Sequence, residues 1–130
     1  AILKAGIEGP LAPIISHVSN GGMPNNTMYF WTTGLFSSFL DNAPSYLIFF
    51  HMAGGSAEIL TSTLNHTLMA ISLGAVYLGA MTYIGNAPNF MVRSIAIKQG
   101  VDMPGFFSYI VLSVLILGPI FGLISFLFLK

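Results

Sequence analysis

The sequence predicts an all-α, polytopic membrane protein, and three observations lead to that class. First, 55% of its 130 residues are hydrophobic, whereas 6% are Asp, Glu, Lys or Arg. A soluble domain carries about 25% charged residues and would expose large apolar patches at this composition. Second, the chain contains uncharged stretches that are long enough to reach across a bilayer as helices. Third, two apolar stretches are interrupted by proline within the same short motif.

Charge and cysteine content exclude several classes of function. The four basic and four acidic residues balance, so the sequence offers no basic patch for nucleic acid. The absence of cysteine excludes disulfides and thiolate metal sites or nucleophiles. No hydrolase, zinc-protease or phosphate-loop motif occurs, so we expect neither an enzyme nor a bound cofactor. The chain starts with Ala1, and we expect a piece of a longer polypeptide or one part of a split one.

Residues 1–27 predict an interrupted helix followed by a loop. Prolines and glycines are frequent in this segment, among them Pro10, Pro13, Gly21 and Gly22. Such residues interrupt helices and mark turns, so no long helix is expected here.

Residues 28–53 predict a helical segment that is interrupted in its middle by the sequence Asp41-Asn42-Ala43-Pro44. The arm before the interruption would be about 20 Å long as a helix, and a hydrocarbon core is about 30 Å thick. Neither arm crosses the membrane by itself. The residues leave two shapes open, which are one kinked spanning helix and a re-entrant hairpin that enters the membrane and returns.

Residues 66–99 predict a second interrupted helix. Its first half contains small residues spaced four apart, namely Ala70 with Gly74 and Ala75 with Gly79. A stripe of small residues favours close packing against protein rather than lipid. The pattern breaks at 85–88 and resumes afterwards.

Residues 106–129 predict the last transmembrane helix. The stretch carries no formal charge and would be about 36 Å long, enough to span a bilayer with some tilt. Pro119 is expected to kink it.

The two interruptions repeat one motif with a spacing of 44 residues. Residues 42–47 and 86–91 each read Asn-Ala-Pro, then a polar, an aromatic and an aliphatic residue. Proline has no amide hydrogen and clashes with the carbonyl four residues earlier, so helical hydrogen bonding stops at both places. In hydrocarbon, backbone groups left unpaired survive only inside protein or against a wet cavity. Two broken helices at membrane depth indicate the binding site of a transporter.

Asp41 is the acid that falls within a predicted membrane-depth segment, where carboxylates tend to be paired or functional. It can bind a cation, take a proton, or do both in turn, and simple capping of the following helix is an equally open interpretation. Ser37 and Ser38 lie one turn earlier on the same side, and Thr82 has the same relation to Asn86.

The remaining titratable residues give weaker signals. The three histidines, His17, His51 and His66, show no ligand spacing. Arg93 is interpreted as an interfacial anchor, with a substrate ligand as the alternative.

Three stretches resemble a known group of transporters: GLFSSFLDNAPSY at 34–46, YIGNAPNFMV at 83–92 and GVDMPGFF at 100–107. They are similar to the C-terminal part of sodium:proton antiporter and citrate-transporter-like proteins of the ion transporter superfamily. The resemblance implies a homodimer in the bacterial inner membrane, built from two inverted repeats that each contain a re-entrant hairpin and a broken helix. This chain would supply the second repeat, and the first would come from missing sequence or another chain.

The resemblance also implies the site. The hairpin tip would contain Ser38, Asp41, Asn42 and Ala43, and the unwound centre of the next helix would contain Gly85, Asn86 and Ala87, with Thr82 beside it. Sodium ligands are expected at Asp41, Asn42 and Asn86. Related carboxylate transporters carry Ser-Asn-Thr at the tip, where this sequence has Asp-Asn-Ala. An acid in place of a hydroxyl suits a cation better than an anion. The prediction is therefore sodium–proton exchange, with cation-coupled citrate or carboxylate transport and a non-transporting membrane subunit as alternatives.

Overall fold

The structure, a computed structural model, describes Pro13, Ser19–Asn20 and residues 23–129. Two short strands, β1 (Ser19–Asn20) and β2 (Met23–Pro24), pair antiparallel. The helices that follow are α1 (Asn26–Phe39), α2 (Asn42–Met52), α3 (Ala57–Thr61), α4 (Asn65–Leu73), α5 (Ala87–Lys98) and α6 (Phe106–Phe128). A π-helical turn, Gly74–Leu78, continues α4. The predicted all-α class is confirmed for the described residues beyond this strand pair, and most of the interrupted helix predicted within 1–27 lies outside them.

Helices α1 and α2 form a hairpin. The ring of Phe49 on α2 contacts both Phe36 near the end of α1 and Tyr29 near its start, with centroid distances of 5.5 and 6.4 Å. These contacts require the two arms to run antiparallel, so the segment is not one kinked spanning helix. That the hairpin is re-entrant in a membrane stays a prediction.

Small residues let α1 pack directly against the end of α4 and the π-helical turn. A Cβ atom added at Gly74 would overlap the carbonyl of Phe30, and one at Gly34 would lie 2.5 Å from the Leu78 side chain. All four residues of the small-residue stripe are buried: Ala70, Gly74, Ala75 and Gly79. The prediction that this stripe packs against protein is therefore confirmed.

Helix α6 lies at the edge of this core. Its contacts include Phe121, which is buried and stacks on Tyr77 with a centroid distance of 5.8 Å. Most of its other large apolar side chains are exposed, among them Phe107, Leu115 and Phe126. Among the described residues, α6 is the one helix whose length and composition suffice to cross a membrane.

Candidate functional site

The hairpin tip is formed by residues 37–43, in which Leu40 and Asp41 connect α1 to α2. Leu40 has extended backbone, with φ −102° and ψ 169°, and ends α1. Asp41 is the N-cap of α2, and its exposed carboxylate accepts a hydrogen bond from the Asn42 amide at 2.8 Å. An N-cap satisfies an amide that has no partner within the helix. The structure therefore places Asp41 where a capping function accounts for it.

The second interruption, residues 80–86, is called the helix break below. The buried hydroxyl of Thr82 accepts hydrogen bonds from the amides of Ile84 and Gly85, at 3.2 and 2.8 Å. The same hydroxyl donates to the Ser38 carbonyl at 2.5 Å. Ser38 and Thr82 are equivalent positions of the repeated motif, four residues before each Asn-Ala-Pro. The Thr82 side chain therefore accepts from two amides of the helix break and also bonds the helix break to the first copy of the motif.

Two buried serines of α1 also connect the hairpin tip to the π-helical turn. Ser37 Oγ donates to the Ala75 carbonyl at 2.5 Å, and Ser38 Oγ donates to the Leu78 carbonyl at 2.8 Å. Carbonyls in the last turn of a helix have few or no amide donors within that helix. The serines supply donors to them, which lets the helix end inside the protein without unpaired groups.

The Asn42 carboxamide joins the hairpin tip and the helix break. With its nitrogen directed inward, it donates to Ser37 Oγ at 2.8 Å, to the Ala75 carbonyl at 2.8 Å and to the Gly85 carbonyl at 3.0 Å. In this orientation the N–H groups of the carboxamide face oxygen acceptors. In the reverse orientation the amide oxygen would face those same oxygens and would be repelled by them. Asn42 thus connects three segments, and its own oxygen points away from those acceptors.

Two glycines make this close approach possible. A Cβ atom at Gly79 would overlap the Asn42 carboxamide and would lie 2.8 Å from the Gly85 carbonyl. A Cβ atom at Gly85 would lie 2.5 Å from the Ser37 carbonyl and 2.8 Å from the Ser38 Cα. Gly85 requires glycine because all its near neighbours are backbone atoms, and Gly79 requires it because the Asn42 carboxamide and the Gly85 carbonyl fill the space.

A cavity of about 620 Å³ opens beside the hairpin tip. It is lined by Asn42, Ala43, Tyr46, Leu47, Ser72, Ala75 and Val76. Of the residues predicted for the site, Asn42 and Ala43 line this cavity. Helix α5 begins next to the helix break, and its N-cap, Asn86, forms no side-chain hydrogen bond to the first turn. The N-terminus of α5 can therefore favour an anion near the junction, whereas at the start of α2 the Asp41 carboxylate already accepts from the Asn42 amide.

The structure brings some predicted residues together and leaves others apart. Asn42, Ser38, Thr82 and Gly85 meet at the junction of hairpin tip and helix break, whereas the side chains of Asp41 and Ala87 are exposed. In the described part of the chain, no group of three or more His, Cys, Asp or Glu side chains forms a metal-binding cluster.

The carbonyls of Ala75 and Leu78 are the components of the junction that the sequence does not reveal. A backbone carbonyl carries no residue-specific signal, so its partner cannot be recognised from residue types. Gly79 had an indirect signal, because it belongs to the small-residue stripe. The sequence places Ser37 one turn before Asp41, and its hydrogen-bond partner, the Ala75 carbonyl, lies in the π-helical turn.

Replacing Thr82 with valine is expected to lower the free energy of unfolding by about 2 kcal/mol, because valine keeps the shape and leaves two amides and a carbonyl without their partner. Thermal unfolding of the purified protein in detergent measures this change. Thr61→Val is the matched control, since its exposed hydroxyl bonds to Ala57 within the same short helix. Equal stabilities of the two variants would contradict the organising role of Thr82.

Comparison with known proteins gives one match. A family model described as "Putative citrate transport" matches residues 1–129, which is nearly the whole chain. No curated protein and no solved structure matches.

Proposed function

We propose that this chain, which belongs to the citrate-transport family matched over residues 1–129, is part of a secondary transporter that carries citrate or a related carboxylate across a membrane. The observation that carries the proposal is the junction of the hairpin tip and the helix break at Asn42, beside a cavity of about 620 Å³. The family fits this alternative better than sodium–proton exchange, which the sequence favoured because of Asp41.

The junction supports the binding of an anion in two ways. Helix α5 begins at the helix break without a side-chain cap, and the N-terminus of a helix carries about half a positive charge together with amides that have no partner within the helix. The Asn42 amide, Ser38 and Thr82 hold the two interruptions against each other. A carboxylate bound between them would touch elements on both sides of the junction. Movement of one element relative to the other would then depend on the bound anion.

Coupling to a cation follows from the charge of the substrate. Citrate is a polyanion, and sodium ions or protons that travel with it would offset part of that charge. Of the sodium ligands expected from the sequence, Asn86 is kept in this proposal, because the Asp41 carboxylate accepts from the Asn42 amide and the Asn42 nitrogen donates to carbonyls. A homodimer in the bacterial inner membrane and a first repeat from the same or another chain belong to the same proposal.

Replacing Asp41 with asparagine distinguishes the transport hypotheses. Asparagine retains the N-cap and removes the charge, so citrate uptake should stay within about twofold of the wild type. Removal of a like charge near the anion should not weaken citrate binding. Uptake of labelled citrate by proteoliposomes containing the full-length protein measures this, with and without a sodium or proton gradient.

Three results would count against the proposal. Sodium-driven proton movement without citrate, abolished in Asp41→Asn, would establish exchange instead. Loss of citrate uptake in Asp41→Asn together with normal uptake in Asp41→Glu would make the carboxylate a coupling group rather than a cap. An absence of both activities in folded wild-type protein would favour the non-transporting subunit.

A further inference from the structure

Arg93 places a positive charge beside the helix break. It lies on α5, and its Cζ atom is 5.1 Å from the centroid of the Tyr83 ring. Because Tyr83 belongs to the helix break, the guanidinium group reaches back from α5 toward the interruption. The Nε atom is buried and has no hydrogen-bond partner, and no carboxylate among the described residues forms an ion pair with this side chain.

The Tyr83 ring under Arg93 is held in place by contacts with α6 and with the segment before it. Tyr83 stacks on Tyr109 of α6, with a centroid distance of 4.0 Å and an interplanar angle of 23°. The Tyr109 hydroxyl donates to the Ala80 carbonyl at 3.1 Å, and the Tyr83 hydroxyl donates to the Pro104 carbonyl at 3.2 Å. The ring pair therefore connects the helix break with α6 and with the segment before it.

The face of α5 that carries Arg93 is directed at the helix break. Asn89, one helical turn earlier, donates to the carbonyls of Ala80 and Thr82 at 3.3 and 3.4 Å. Residues four apart lie on the same face of a helix, so Asn89 and Arg93 approach the helix break together. The Arg93 guanidinium group therefore lies next to the helix break, and its Nε atom is buried there.

The chemistry of this position is that of an incomplete anion site. A cation–π contact satisfies the charge of arginine in part, and it leaves the buried Nε–H donor without an acceptor. The planar guanidinium group matches a carboxylate with two parallel hydrogen bonds.

We propose that Arg93, held on the Tyr83 ring, binds one carboxylate of the transported anion, while the N-terminus of α5 takes another. This inference rests on the proposed function. It makes Arg93 the residue that selects polycarboxylates over anions with a single carboxylate. The competing ligand for the same donors is the headgroup of an anionic lipid, and the test includes it.

The test compares Arg93→Gln, Arg93→Lys and wild type as full-length protein in proteoliposomes. The KM for citrate should rise roughly tenfold to a hundredfold in Arg93→Gln, which corresponds to the loss of a charged hydrogen-bonded pair, while the maximal rate changes little. Arg93→Lys should recover part of the loss because it keeps the charge. Lys98→Gln is the matched control, since Lys98 is an exposed cation on the same helix, and its KM should equal that of wild type.

Binding without transport gives an independent readout. Citrate should raise the unfolding temperature of detergent-solubilised wild type and Lys98→Gln, and Arg93→Gln should need a roughly tenfold to hundredfold higher citrate concentration for the same rise. If wild type neither binds nor transports citrate, the proposed function fails and this inference falls with it. If wild type transports citrate and Arg93→Gln keeps the wild-type KM, the inference alone is wrong. A defect that appears in vesicles with anionic lipid and disappears in phosphatidylcholine would assign Arg93 to a lipid headgroup and would also overturn it.

Discussion

Replacing Gly85 with alanine is expected to abolish transport and to lower the free energy of unfolding by about 3 kcal/mol, at the upper end of the range for overpacking. The added Cβ would lie 2.5 Å from the Ser37 carbonyl and 2.8 Å from the Ser38 Cα, so backbone atoms would have to move. Any such movement separates the hairpin tip from the helix break. Citrate uptake and thermal unfolding in detergent measure the two effects.

Gly118→Ala is the matched control for this substitution. A Cβ atom there would meet Val114 at 3.9 Å, which is an ordinary contact, and alanine favours a helix over glycine by about 1 kcal/mol. The control should therefore unfold at the wild-type temperature or above. If Gly85→Ala were as stable and as active as Gly118→Ala, the hairpin tip and the helix break could not be in the contact that the structure shows.

Replacing Asn42 with aspartate is expected to reduce transport at least about a hundredfold and to destabilise the protein by about 3 kcal/mol. A carboxylate has no hydrogen to donate, so it would repel the carbonyl oxygens of Ala75 and Gly85, and the Ser37 hydroxyl could donate either to it or to the Ala75 carbonyl, not to both. Asn42→Ala removes the same hydrogen bonds without adding charge, so its effect should be smaller. Transport and thermal unfolding are measured over a range of sodium concentrations.

The sodium series separates two functions of Asn42. If its amide nitrogen donates as described, sodium should not rescue the aspartate variant. If the amide oxygen instead ligates sodium, a carboxylate should bind the ion more tightly, and sodium should stabilise Asn42→Asp more than wild type. Asn65→Asp is the control, because Asn65 is exposed at the start of α4 and its replacement changes the same charge without burying it.

Several features could be predicted because they depend on residues close in sequence. Composition indicated a membrane protein, and the citrate-transport family agrees with that class. Proline in both Asn-Ala-Pro motifs predicted interrupted helices, and α2 and α5 begin at Asn42 and Ala87 in the structure. Periodicity of small residues predicted the packed stripe. Each of these signals is local, since it arises from the backbone or side chain of the residue itself.

Other features could not be predicted because sequence periodicity does not contain them. The hairpin was one of two open shapes, and contacts of Phe49 with both ends of α1 decide between them. The π-helical turn could not be predicted, because it is five residues long and is too short to show a periodicity of its own. The helix break also extends further back than the proline motif indicates, and it includes Thr82 and Tyr83.

By itself, the sequence determined the membrane class of this protein and the places where its helices stop, because charge content and proline act through their immediate neighbours. The tertiary structure decided what the interruptions do: Asn42 donates to Ala75 and Gly85, Thr82 to Ser38, and Arg93 lies over Tyr83. These partners lie on different elements, and many are backbone carbonyls that every residue type carries. Such contacts depend on the distances and directions between atoms in the folded chain, and a pattern of residue types does not contain this information.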